Sequence, residues 1–169
     1  MVVADEAKIQ QEPNACYRWN PKGYTPVVRV NRVRKAVSIY GGLSKLTSRV
    51  ITHFCEWQES PETVAFLEKI KQHRQRLVQA LDRAAPILLV WDGARWHKSK
   101  EVKRWLAANP GVVELMHFPP YSPELNPQEK VWKALRKHVF DSLVCDPFDT
   151  TVLKAKRFLK NRKFSYRFV

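Results

Sequence analysis

A chain of 169 residues is long enough for one domain with a sizeable core and too short for two comfortable ones. Its 44% hydrophobic content excludes general disorder, and no apolar run approaches the roughly 18 residues of a membrane span. The formal net charge of +14 gives a surface that attracts polyanions, nucleic acid foremost and an acidic lipid surface second. Cys16, Cys55 and Cys145 are widely separated with no C-x-x-C spacing, which suits reduced thiols in the cytoplasm and indicates neither a zinc site nor a disulfide framework. The N-terminus lacks the apolar core of a signal peptide.

In chain order, Met1 to Gln10 reads as a strand, with Val2 and Val3 leading into Asp5 and Glu6. Taken alone, Asp5 reads equally as a solvated acid on an edge strand and as a functional carboxylate. Successive strand residues face opposite sides of the pleat, so Asp5 and Glu6 are not expected to serve one site. Pro13 to Thr25 is a loop with turn chemistry in Asn14, Asn20-Pro21 and Lys22-Gly23, and Trp19 and Tyr24 are expected to pack over the sheet. VVRVNRV and KAVSIYGGLS then read as two antiparallel strands, and Gly41-Gly42 marks a hairpin or bulge before a third, RVITHFCEW.

Ser60-Pro61-Glu62 supplies a cap, a first-turn proline and an acid at the positive end of a helix dipole. Val64, Leu67, Ile70, Leu77 and Leu81 keep an apolar face across Thr63 to Arg83, while its basic middle, KQHRQR, reads as a solvated face ahead of a DNA contact.

The chain is organised around Ile87 to His138. PILLVWDGARWH and VVELMHF hold apolar runs too short for buried helices, bounded by Pro, Gly or Asn, so they read as strands on either side of a helix in SKEVKRWLAAN. A proline-punctuated loop, PPYSPELNP, then opens a second helix, QEKVWKALRKHV, and the alternation is that of a parallel α/β sheet. Asp92 ends the first of these strands, where chemistry gathers in open α/β sheets. Glu129 stands in the first turn of the last helix. Asn126-Pro127-Gln128-Glu129 is also a capping box useful to any helix. Pro119, Pro120 and Pro123, however, stiffen the approach, which makes sense if the helix start must be aimed. Glu124 is the fallback carboxylate.

Arg95, His97 and Lys98 precede a helix N-terminus at Ser99, where anions bind readily. They read as phosphate-contacting or supporting residues, or as ordinary loop residues, and His97 has no partner at zinc spacing. Trp91, Trp96, Trp105 and Trp132 read as core or sheet cover; Trp132, three residues after Glu129, shares its helix face and can wall a site there. In the last segment Val152, Ala155, Phe158 and Leu159 form an apolar stripe opposite Lys154, Lys156, Arg157, Lys160, Arg162 and Lys163. Arg167 follows, with Phe164, Tyr166 and Phe168 interleaved. This pattern suits DNA backbone contacts with stacking, or a terminal helix that docks by its aromatics.

WDGARWHKSKEV followed by HFPPYSPELNPQEKVWKALRK resembles the catalytic core of DDE transposases, in particular the bacterial insertion-sequence branch related to the mariner elements. VVADEAKIQ and YRWNPKGYTPVV are similar to that family's first catalytic strand and the Trp…Lys-Gly segment after it, so the resemblance runs from Val2 to about Val139. Its most specific part is the proline-rich loop followed by Asn-Pro-x-Glu-x-x-Trp. It implies a ribonuclease-H-like α/β domain, a mixed sheet flanked by helices, over residues 1–145, with a basic C-terminal helix and tail, 146–169, packed on it. It also implies Asp5, Asp92 and Glu129 as catalytic carboxylates and as ligands of Mg2+ or Mn2+. The family's second gap, in the mid-thirties of residues, is met here.

The implied activity is metal-dependent DNA strand cleavage and 3′-hydroxyl strand transfer, on double-stranded DNA comprising element ends and a TA-type target. A homodimer on DNA in the bacterial cytoplasm, at the nucleoid, follows from the same resemblance. Candidate DNA contacts are Arg95, His97, Lys98, Lys133, Arg136, Lys156 and Lys160. Two other readings stay beside this one: an inactive DNA-binding remnant of a transposase, and a related nuclease of the same fold acting on junctions or hybrid RNA. Two departures stand out. Many relatives carry Asn after the second Asp, where this chain has Gly93. The family's full transposases also place helix-turn-helix modules before the first catalytic strand, which here starts at Met1, so recognition of element ends is expected from a separate N-terminal protein or domain.

Overall fold

A computed structural model describes residues 1–10, 19–24, 35–82, 84–119, 122–140 and 147–166. The expected strand VVRVNRV, Cys16, Cys145, Pro120, Arg167 and Phe168 lie outside the described residues.

The chain forms β1 (Val2–Gln10), β2 (Ala36–Ser44), β3 (Val50–Cys55), α1 (Ser60–Leu81), β4 (Ile87–Trp91), α2 (Lys100–Ala108), β5 (Val113–His117), α3 (Pro127–Phe140) and α4 (Phe148–Asn161). The strands make one mixed sheet in the order β3-β2-β1-β4-β5. The hairpin strands β1, β2 and β3 pair antiparallel, whereas β1, β4 and β5 are parallel, as the β4–α2–β5 crossover requires. The pleat then sorts the core into two layers. Val2, Ala4, Tyr40, Leu89 and Trp91 face α1 and α2, and Ile9, Ile39 and Leu43 face α3 and α4.

One register positions everything that follows. Val3 pairs with Val90 across β1 and β4, so Asp5 and Asp92, each two residues further on, leave the sheet side by side and on the same face. On the next strand, His117 pairs with Trp91, bringing the end of β5 to the same edge.

Several local expectations give way. Gly41 and Gly42 lie inside β2 and form neither hairpin nor bulge; the turn falls after Ser44. Their missing side chains make room instead. A Cβ on Gly41 would run into the Trp132 ring, 2.7 Å from Cζ2 and nearer still to Cη2, and would sit 2.6 Å from Gln128 Nε2; one on Gly42 would sit 2.8 Å from Val2 Cγ1. Ser60 does not cap α1: Glu59 takes the extended cap position, and Thr63 Oγ1 donates to its carbonyl. Leu81, at the end of α1, is exposed rather than part of the apolar face. The apolar β5 is an exposed edge, and Trp19 and Tyr24 are exposed rather than packed over the sheet. At the C-terminus the aromatics dock: Phe164 is buried against Phe158, and Tyr166 donates to the Lys130 carbonyl. His53 on β3 pairs with Glu62 of α1 and ties the sheet edge to the helix. Among the described residues no helix is long and apolar enough to cross a membrane.

Candidate active site

Asp5, Asp92 and Glu129 line one cavity of about 800 Å³, with Gly93, Lys98, His117, Phe118, Pro119, Ser122 and Asn126 completing the wall. β1 and β4 deliver the two aspartates through their register. Glu129 comes from the first turn of α3, whose start is fixed by Asn126: its Oδ1 accepts from Gln128 N at 3.0 Å, and its carbonyl accepts from Glu129 N. The capping chemistry is therefore present, and it coexists with a glutamate turned toward the cavity. The fallback acid, Glu124, sits in a short 3-10 turn before α3 and is not among the lining residues.

The two aspartates have opposite surroundings. Trp132, buried over Gly41, donates its indole N–H to Asp5 Oδ2 at 3.0 Å. Burial, followed by the charges of Glu129 and Glu6, nevertheless pushes Asp5 up to about 7. Asp92 is held below the usual carboxylate range by its hydrogen bond with His97, which outweighs partial burial, and by Ala94 N–H, 3.0 Å from Oδ1. Gly93 offers no side chain to orient Asp92, and Lys98 Nζ occupies the space beside it.

The structure separates the candidate DNA contacts. Lys98 is on the cavity wall. His97 is buried, stacked on Trp91 with ring centroids 4.1 Å apart and planes 3° apart, where a phosphate does not reach it. Burial opposes its charged form, yet bonds to Asp92 and Glu6 prevail and lift its pKa to about 9. Arg95 is exposed beside Ser60, Pro61 and Glu101 and does not line the cavity of Asp5, Asp92 and Glu129. Lys133 and Arg136 on α3 and Lys156 and Lys160 on α4 are all exposed. Lys156 lies over the Phe54 ring, 5.2 Å from its centroid.

Two residues near the site escaped the sequence reading. His117 Nδ1 lies 3.1 Å from the Asp92 carbonyl; the signal was its place at the end of the strand paired with β4. Glu6 was set aside because it faces away from Asp5. It does, but His97 wraps around the strand end and links the two faces.

Residues 1–150 match the family model described as DDE superfamily endonuclease. An insertion element IS630 uncharacterized 39 kDa protein of Shigella sonnei is 27% identical over 156 residues, covering 92% of this chain and 43% of that one. Uncharacterized protein y4pE/y4sA of Sinorhizobium fredii is 32% identical over 85 residues, 50% of this chain and 59% of that protein. The chain thus spans about half the length of the curated relatives it matches. Among solved structures, the Mos1 mariner paired end complex with Mn is similar at a TM-score of 0.68 and 19% identity, covering 96% of this chain and 48% of that chain. The Mos1 transposase catalytic domain, solved with Raltegravir and Mn, is similar at 0.64 and 17% identity, covering 96% of this chain and 70% of that one. These likenesses show the ribonuclease-H-like fold. The family match spans most of the chain, including all three acids of the cavity, and the chain belongs to the DDE superfamily endonucleases.

Proposed function

We propose that the chain is the catalytic core of a bacterial insertion-sequence transposase, which cuts DNA strands and joins the freed 3′-hydroxyl to target DNA. The observation that carries this reading is the convergence of Asp5, Asp92 and Glu129, from three separate elements, on one open cavity. Their electrostatics fit a divalent cation. Asp5 is buried and feels the charges of Glu129 and Glu6, so its ionised form is disfavoured in a way that a cation among the carboxylates would relieve. An all-oxygen donor set suits Mg2+ or Mn2+, and Asp5, Asp92 and Glu129 are the residues to hold it. Bound divalent cations in such a site lower the pKa of an attacking water or hydroxyl and offset charge on the scissile phosphate.

This chain's own groups prepare that chemistry. Trp132 fixes one oxygen of Asp5, and Ala94 N–H with His97 keeps Asp92 ionised and oriented. Lys98 places a cation on the cavity wall for a DNA phosphate, and the overall excess of positive charge draws the duplex in. Lys133, Arg136, Lys156 and Lys160 are the exposed candidates for backbone contacts outside the cavity. The Mos1 structures, solved as paired-end complexes with a transposon end, with Mn and with Mg, support DNA and divalent cations as the ligands here. In the same reading residues 1–145 are the catalytic domain with 146–169 packed on it. The active form is a dimer on DNA in the bacterial cytoplasm, with element ends read by a separate N-terminal unit.

The test is nicking of supercoiled plasmid in Mn2+ and Mg2+ by the native chain, Asp92→Ala and Glu129→Ala. The reading predicts metal-dependent nicking that both substitutions abolish while the proteins stay folded. DNA binding with a steep salt dependence and no nicking under any metal contradicts it, and makes the chain an inactive DNA-binding remnant.

A further inference from the structure

Glu6 is the acid that the cleavage chemistry leaves without a task. It lies on the face of β1 opposite Asp5, and its side chain is 10% exposed. A carboxylate so far removed from water is costly to keep unless it is paired. Its partners are specific: Glu6 Oε1 is 2.7 Å from His97 Nε2 and 3.4 Å from Trp96 Nε1. The other ring nitrogen of His97 is 3.0 Å from Asp92 Oδ1 and 3.2 Å from the Asp92 carbonyl.

The ring therefore donates in two directions to oxygens that only accept, and Trp91 stacked beneath it fixes its plane. The middle member of this chain of contacts is the most enclosed. The His97 side chain is 1% exposed, and that of Asp92, which opens on the cavity, is 57% exposed. The ligand atoms of Glu6, Asp92 and His97 lie within 4.8 Å of one another, so the group could also be taken for a cation site. The geometry speaks against that, because a ring donating through both nitrogens keeps no lone pair for a metal.

We propose that Glu6 and His97 are positioning residues: Glu6 anchors the ring of His97 from behind the sheet, and His97 holds the Asp92 carboxylate at the cavity mouth. The inference rests on the transposase reading only for what Asp92 is aimed at. Without Glu6, His97 keeps one of its two anchors and Asp92, solvent-exposed on its far side, gains freedom to turn away. Partners that orient a ligand in this way are worth roughly 10–100-fold in metal affinity or activity.

Two substitutions separate position from charge. Glu6→Gln keeps the length and removes the charge; Glu6→Asp keeps the charge and is one methylene short of His97. Binding of Mn2+ to the full chain, read from the loss of the free-ion electron paramagnetic resonance signal, is measured for the native protein and both variants. Plasmid nicking and a thermal melt are run in parallel. The proposal predicts that both variants fold, that Glu6→Asp binds Mn2+ about tenfold more weakly than the native chain, and that Glu6→Gln, whose amide oxygen still reaches His97, binds more tightly than Glu6→Asp. Native-like binding by Glu6→Asp with weakened binding by Glu6→Gln overturns it, since that pattern means Glu6 acts by charge alone; native-like binding by both overturns it as well. If Mn2+ binding follows the prediction and no protein nicks DNA, the transposase reading fails and the positioning role stands. If the native chain nicks DNA and both Glu6 variants match it in binding and rate, the positioning role fails and the transposase reading stands. A native chain that binds no Mn2+ overturns both.

Discussion

Asp5 and Asp92 stand level on neighbouring parallel strands, and the protein treats them in opposite ways. Asp92 has an internal cation: His97, held charged by Glu6 and by Asp92 itself, keeps that carboxylate ionised before anything binds. Asp5 has neutral donors, the Glu6 backbone N–H and Trp132, against burial and two neighbouring carboxylates, and its pKa stays near 7. One half of the cavity is thus electrostatically complete, and in the proposed reading a divalent cation would complete the other. The difference shows how crowded acids can coexist in a folded chain: of the two aspartates, only Asp5 carries a raised pKa, and in the proposed reading a bound cation would relieve it.

The largest expected effect tests the two halves together. Asp5→Asn and Asp92→Asn should each lower metal-dependent cleavage on the order of 10³-fold or more, since both carboxylates are needed at once. Their metal-free melts should diverge. The pKa of Asp5 is raised from 3.8 to about 7, so its ionisation opposes folding progressively as pH rises from about 4 through 7. Asp5→Asn is expected to melt above the native protein at pH 8 and to match it near pH 4, where the native Asp5 is already protonated. Asp92→Asn removes a partner of the charged His97, whose stabilisation is complete below 6.5 and lost as pH rises through about 9. That variant is expected to melt below the native protein at pH 6 and to approach it at pH 10. Melts that move in the same direction for both would break the comparison.

A smaller effect is expected at Gly41, which gives Trp132 its place over Asp5. Gly41→Ala sets a Cβ against the Trp132 ring and the Gln128 amide. Overpacking of this kind should destabilise by about 1–3 kcal/mol and, by moving the indole donor, weaken Mn2+ binding at pH 7 more than at pH 9. A thermal melt and a Mn2+ titration at both pH values check this. The smallest effect belongs outside the cavity. Lys156→Ala should lower the salt slope of DNA binding by about one and leave the cleavage rate of bound DNA unchanged.

These contrasts were unevenly legible in the sequence. The strand–helix–strand–loop–helix run from Ile87 placed Asp92 and Glu129 at turning points by hydrophobic pattern and prolines alone, and the structure brings both to one cavity. Ser99 reads as a helix start and does cap α2, accepting from Val102 N. Gly41-Gly42 misled because a missing side chain looks the same whether it permits a turn or admits a neighbouring helix; the reason lies in Trp132, far along the chain. VVELMHF reads as a strand, but its pattern does not say which strand takes the sheet edge. Glu6 was excluded by the alternation of the pleat, a rule that holds within a strand. It does not reach past the strand end, where the short turn over Arg95–Lys98 folds His97 under the sheet and carries contact from one face to the other.

In the proposed site Asp5, Asp92 and Glu129 jointly hold the catalytic cation while Glu6 and His97 stand behind them. A crystal of the protein soaked in Mn2+ and measured for anomalous scattering at the manganese edge tests it most directly. Anomalous density is expected in the cavity against the carboxylates of Asp5, Asp92 and Glu129, with His97 still bonded to Glu6. Density coordinated by His97 or Glu6, or none within the cavity at saturating Mn2+, contradicts it.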